Sequence, residues 1–325
     1  MAAGAHRAVL AFVAVALAMA AQTARSQTYP SKPVRLVVPA AVSTPVDILS
    51  RVIAEKVSAR LGQPVVVESK PGATGAVGAQ EVLKQPADGY TLMTLHMPMS
   101  VAQTLYSKVA FDLRRDFVPI GQTAWSYNVL VVHPAVKADA VKDLIDLLKR
   151  QPGKLSYSSG APGTPAHVAG ELFKLRAGVE AMHVSYNQFP QAIADLLGGR
   201  NHFMFAATPP MIPHIAAGKL RALAVTGPKR IAALSDVPTM TEAGFDDFVV
   251  RDWQGFVAKA GTPPRVIERV NAAIAEALRT DEVKSIFAKL GADAAPGSPE
   301  DFARLIGAEI ERWGGVVRMA KLRVE

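Results

Sequence analysis

The chain has 325 residues and no cysteine. It therefore forms no disulfide and offers no thiol for a lipid anchor, and its folded parts must hold together by core burial. Its seven histidines do not pair at metal-ligand spacing, so no metal site is expected. There is no Lys/Arg run and no alternation of aromatic and basic residues, which argues against nucleic acid as a partner despite a formal charge of +8. A repeat at solenoid spacing is also missing. So are G-x-S-x-G, H-E-x-x-H, a Walker loop, and a G-x-G-x-x-G after a strand. Gly72, Gly75 and Gly78 have the wrong spacing for a dinucleotide fingerprint. No catalytic residue and no cofactor is expected.

One apolar run stands out, over residues 8–21, behind His6 and Arg7. It falls short of the ~20 residues a membrane-spanning helix needs. Ala24-Arg25-Ser26 then places small side chains at the −3 and −1 positions of a cleavage site. This is the grammar of a secretory signal over residues 1–26, cut after Ser26. Losing Arg7 and Arg25 lowers the charge to +6, a modest positive field that favours anionic solutes.

Behind the signal, strand and helix patterns alternate. Val34–Val38 is a β-branched run, and residues 46–61 then set Val46, Leu49, Val52, Ile53, Val57 and Leu61 on one helical face. Strands are expected at 65–67, 90–94, 128–133, 155–159, 202–206, 220–225 and 255–258. Helices are expected up to about 84, and over 139–150, 165–177, 264–279, 282–290 and 299–320. The rhythm predicts an α/β fold of mostly parallel sheets flanked by helices, and the length suits two domains.

In such folds ligands sit beyond the carboxyl ends of strands. Two loops there share a pattern, Ser43-Thr44-Pro45-Val46-Asp47 and Gly163-Thr164-Pro165-Ala166-His167. In each, Thr is an N-cap and Pro takes the first helical position, with Asp47 or His167 three residues after the cap. Two readings fit: two well-capped helices, or two helix N-termini that aim spare amides into a cleft and hold an anion.

These loops and the segments between them resemble the receptors of tripartite tricarboxylate transporters, the Bug family of periplasmic solute-binding proteins. The resemblance runs over the whole chain behind the signal. It is carried by Tyr29-Pro-Ser-Lys-Pro33, Leu61-Gly-Gln-Pro-Val-Val-Val-Glu68, Lys70-Pro-Gly-Ala73, Asp88-Gly-Tyr-Thr-Leu92, Ala169-Gly-Glu-Leu-Phe173, Asp195-Leu-Leu-Gly-Gly199, Gly218-Lys-Leu-Arg-Ala-Leu-Ala-Val-Thr226 and Asp236-Val-Pro-Thr239. It implies a two-lobed periplasmic binding protein of type II-like build. One lobe would take residues 27–127 and 250–325, the other 128–249. It also implies a monomer that delivers a small carboxylate to membrane permease subunits without catalysis, or presents it to a signalling protein. The implied ligand-binding residues are Ala40, Ser43, Thr44, Asp47, Thr74, His96, Met97, Ser159, Gly160, Gly163, Thr164, His167, Tyr186, Ala206 and Thr208. A rival reading is a periplasmic enzyme pairing Ser43 or Ser159 with His96 or His167.

Departures from the family pattern bear on the ligand. The first loop of relatives reads like V-P-F-A-P-G-G-S-T-D, whereas here two glycines are replaced by Ser43 and Thr44. Pro45 withdraws a further amide. Where relatives carry an acid after Met-Phe, this chain has Ala206, and the usual Tyr-Lys-Gly reads Tyr186-Asn187-Gln188. The loop His96-Met97-Pro98-Met99-Ser100 adds polarizable surface. Either these residues pack between loops and never meet solute, or the cleft suits an aromatic or aliphatic carboxylate without an amino group.

Overall fold

The computed structural model describes residues 29–324, except Ser43, Asn187 and Asp247. The signal segment and the Ser43 assignment lie outside the described residues. Among those residues, ten strands join into one continuous, curled sheet. Its first part is β1 (Val34–Val38) between β2 (Val65–Ser69) and β3 (Thr91–His96), all parallel. Helix α1 (Pro45–Leu61) packs on one face of these strands and α2 (Ala76–Leu83) on the other; α3 (Met97–Leu105) follows β3 without a loop. Both faces of β1 are covered, which is why it is apolar at every position but Arg35, whose guanidinium pairs with Glu68 and Glu81.

The long strand β4 (Phe117–Val132) is shared by two halves of the sheet. Up to Tyr127 it runs antiparallel to β9 (Arg251–Lys259), which continues the sheet beyond β3. From Asn128 onward it pairs instead with β7 (Phe203–Ala207) on one side and β8 (Arg221–Val225) on the other. Beyond β7 lie β5 (Ser156–Ser159) and β6 (Met182–Ser185), parallel to one another. The parallel pairings thus sit in the two outer wings. Every pairing that involves β4 or β9 is antiparallel, including that of β10 (Ala292–Ala294) with β4.

The remaining helices cover the wings: α4 (Val141–Arg150), α5 (Pro165–Ala177), α6 (Phe189–Leu197) and α7 (Thr208–Ala216) beside the second half. The last three, α8 (Pro264–Arg279), α9 (Asp281–Lys289) and α10 (Pro299–Met319), belong beside the first. In α8 the buried residues Val266, Ile267, Val270, Ile274 and Leu278 recur at helical spacing, so one stripe faces the core. In α10 the buried Glu309 accepts a hydrogen bond from the indoles of both Trp313, at 2.8 Å, and Trp253 of β9, at 3.0 Å. That pins the C-terminal helix to the crossing strand.

The helix ends follow the local chemistry read from sequence. Thr44 caps α1 by accepting from the Asp47 amide at 3.4 Å, and Gly62 ends the helix in the left-handed region. Two elements differ from expectation. The segment His96–Ser100 is not a loop: from Met97 it is the first turn of α3, with Met97 and Met99 wholly buried. The strand expected over 128–133 begins eleven residues earlier, at Phe117, because β9 supplies an edge that the linear pattern does not reveal. Among the described residues no helix is long and apolar enough to cross a membrane.

Candidate functional site

The loops singled out in the sequence gather at the carboxyl ends of parallel strands. Ala40 and Thr44 follow β1, His96 ends β3, Ser159 and Gly160 end β5, and Thr208 follows β7. The β5–α5 turn lies against the other half of the molecule. A side chain at Gly163 would meet Leu105 and Val101 of α3 at 3.0 and 3.5 Å. The start of α5 therefore packs directly against α3 of the other half.

Most polar atoms of the expected site are engaged within the protein. Asp47 accepts from the Arg51 guanidinium at 3.0 Å and from the Ser69 hydroxyl at 2.9 Å. The Thr74 hydroxyl, in a left-handed stretch from Gly72 to Gly75, lies 2.6 Å from the Tyr106 hydroxyl. The Tyr186 hydroxyl donates to Asp195 and accepts from Asn201, each at 2.7 Å. Thr208 donates to the Tyr127 carbonyl at 2.9 Å. Met97 and Ala206 are wholly buried, Ala206 in a core with Val129, Leu196 and Met211.

Thr164 differs. It stands at the N-cap position of α5, yet its hydroxyl makes no capping bond. The oxygen is enclosed and has no hydrogen-bond partner. The expected cap is absent because the turn is closed from elsewhere: the Gly163 amide donates to His167 Nδ1 at 3.1 Å. His167 stacks on His183 at 4.4 Å, and His183 stacks in turn on Tyr157 at 4.8 Å. Burial, then the neighbouring His183, brings the His167 pKa down to about 4. The His183 pKa is lowered too, chiefly by burial. Both rings are therefore neutral at ordinary pH. Beneath them the Tyr157 hydroxyl donates to Glu171, which also takes the Lys174 ammonium at 2.8 Å. The Tyr157 pKa is pushed up, mainly by burial.

Of the serines in the rival enzyme reading, Ser159 does meet a histidine, His183, whose Nε2 lies 2.7 Å from the hydroxyl. The sequence pattern pointed to His96 or His167 instead and missed His183. The Ser159 hydroxyl also lies 2.9 Å from the Gly160 carbonyl, so its one proton has two acceptors within reach, that carbonyl and the neutral His183 ring.

In the first half, His96 stands opposite Gln254 across the β3–β9 ladder, with Asp252 two residues along. Both ring nitrogens of His96, the amide nitrogen of Gln254 and Oδ1 of Asp252 are enclosed and without hydrogen-bond partners. Burial pulls the His96 pKa down to about 4. Asp252 is pushed up to about 7 by burial, with the Glu309 carboxylate adding to it and the Trp253 and Met97 amides opposing. Sequence reasoning missed Asp252 and Gln254. The available signal was a pair of polar residues at alternating positions around Trp253, just ahead of the apolar stretch Gly255–Ala258.

The sequence model of a family described as tripartite tricarboxylate transporter family receptor matches residues 49–322. Protein BugT of Bordetella pertussis is 35% identical over 314 residues, covering 95% of this chain and 96% of that protein. Among solved structures, Rpa4515 of R. palustris with adipate has a TM-score of 0.83 at 34% identity, over 91% of this chain and 99% of that one. MatC of Rhodopseudomonas palustris with bound malate has a TM-score of 0.79 at 28% identity, over 89% of this chain and 100% of that one.

Proposed function

The chain belongs to the tripartite tricarboxylate transporter receptor family, and on that footing we propose that it captures a small carboxylate between two lobes and delivers it to membrane permease subunits. The proposed lobes are residues 27–127 with 250–325, and residues 128–249. They meet where β4 exchanges β9 for β7 and β8. The proposed route is export behind residues 1–26, cleavage after Ser26, and work as a periplasmic monomer without catalysis.

One observation carries the reading: the enclosed, unpartnered hydroxyl of Thr164 at the start of α5. A helix start offers amides that the helix itself leaves unpaired, together with its positive dipole end. A carboxylate placed there would accept from both the hydroxyl and those amides. Ala40, Thr44 and the β1–α1 loop would approach from the other lobe, with Ser159, Gly160, Gly163 and His167 behind Thr164. Two carboxylate-bound relatives, one with adipate and one with malate, support this class of solute. The neutral histidines favour an acid without an amino group.

Native mass spectrometry of freshly purified protein tests the reading. A bound carboxylate, released unchanged by mild denaturation, is the expected result. A screen of acids should then raise the melting temperature, since ligand at about a hundred times Kd adds roughly 2.7 kcal/mol. Turnover of a bound ester or acid would overturn the reading, as would indifference to every carboxylate tried.

A further inference from the structure

The trio on β3 and β9 has a composition that the carboxylate reading alone does not use. Gln254 and His96 are 3% and 7% exposed, so both are more than nine-tenths buried. They are direct neighbours across the ladder, and Asp252 follows Gln254 at the spacing that keeps side chains on one face. That face is the one on which Thr94, two residues before His96, lies 2.9 Å from the Ser50 hydroxyl of α1. The trio therefore tops the layer under α1, at the carboxyl ends of the strands and beside Pro39 and Met97.

Together the three enclose at least two N–H donors, one imidazole acceptor and one carboxyl oxygen that no other side chain reaches. The influences on the two titratable groups are burial, backbone hydrogen bonds with Pro39 for His96 and with Trp253 and Met97 for Asp252, and the Glu309 carboxylate of α10. No positive charge figures among them. A second carboxylate would face Asp252 and Glu309 without compensation, and a ligand methyl would leave the donors unpaired. A hydroxyl accepts from these donors and gives its one proton to one of the two acceptors, so it pairs more of the set than a methyl or a carboxylate does.

Resting on the proposed carboxylate function, we propose that His96, Asp252 and Gln254 form a distal subsite that selects an acid whose far end carries a neutral hydroxyl. The carboxylate would sit at Thr164 and the hydroxyl between β3 and β9. This makes the protein selective against dicarboxylates, unlike the relative that holds adipate.

Calorimetric titration of the whole mature protein with unbranched acids of increasing chain length tests it, comparing ω-hydroxy, ω-carboxy, ω-amino and unsubstituted forms. At the best length the ω-hydroxy acid should bind at least about tenfold tighter than the other three, a gap of ~1.4 kcal/mol. Gln254→Met and His96→Phe should each erase the preference, bringing the ω-hydroxy acid to within about twofold of the unsubstituted acid. Gln254→Met should also melt no lower than the wild type without ligand, because it removes an unpaired buried donor. That result separates a ligand-facing role from a structural one.

A dicarboxylate or amino acid bound tightest by the wild type would overturn the subsite. A hydroxy preference unchanged in both variants would do the same, and would leave the trio as a site for water. If no acid of any form binds, the carboxylate function itself fails. Binding without a hydroxy preference sinks only the subsite.

Discussion

Asn128 donates its backbone N–H to the Thr226 hydroxyl at 3.0 Å, and that same hydroxyl donates to the Val250 carbonyl at 2.6 Å. Thr226 is fully buried, and its own amide and carbonyl also bond Asn128 and Val250. One side chain thus ties the two crossing segments together where β4 changes partners. Thr226→Val keeps the shape and leaves a buried donor and a buried acceptor unpaired. It should lower stability by about 2–3 kcal/mol, read by urea denaturation. A loss under about 0.5 kcal/mol would show that water replaces the hydroxyl there.

Thr164→Val tests the ligand assignment with little interference from folding. Loss of an N-cap bond ordinarily costs about 1 kcal/mol. Here no such bond exists, so the melting temperature should hold or rise. Carboxylate affinity should fall at least about tenfold by calorimetry. Unchanged affinity would remove Thr164 from the site.

Acid and base should act on this protein through opposing groups. Asp252, raised to about 7 against ~3.9 unfolded, binds its proton more tightly when folded. Its contribution is full at low pH and is lost as pH rises from about 4 to about 7. His96 and His167, lowered to about 4 against ~6.5 unfolded, act the other way. Their contribution is full above about 6.5 and disappears on acidification. Asp252→Asn should therefore be the more stable protein above about pH 7, on the order of 1–3 kcal/mol, and should lose stability more steeply in acid. Melting curves from about pH 4 to about pH 8 would read both slopes; parallel curves for variant and wild type would refute the assignment.

Gly170 lies inside α5, where alanine ordinarily gains up to ~1 kcal/mol. A Cβ there would stand 2.3 Å from the Tyr157 ring, which is fully buried and held by Glu171. Gly170→Ala should accordingly destabilise by about 1–3 kcal/mol or more in chemical denaturation. A stabilised variant would mean that the Tyr157–Glu171 pair moves freely.

The fold was legible wherever pattern is local. Val46, Leu49, Ile53 and Val57 announced α1, and Thr44 and Pro45 marked its start. Long-range pairing was not legible. Phe117–Tyr127 alternates too loosely to read as a strand, and becomes one because β9 lies beside it. The site divides in the same way. Thr164 was visible from its turn chemistry, whereas its unpaired state depends on His167 reaching back to Gly163. Gln254 and Asp252 were invisible because their meaning comes from facing His96, which is more than 150 residues away in the chain.

The sharing of β4 also governs when each part of the sheet can form during synthesis. Strands β5 to β8 and the end of β4 come from one continuous stretch of chain, whereas β3, the edge of the β1–β3 group, must wait for β9. A ribosome delivers the N-terminus first, so the earliest strands emerge without the edge that completes them. They stay unfinished until almost the whole polypeptide has been made.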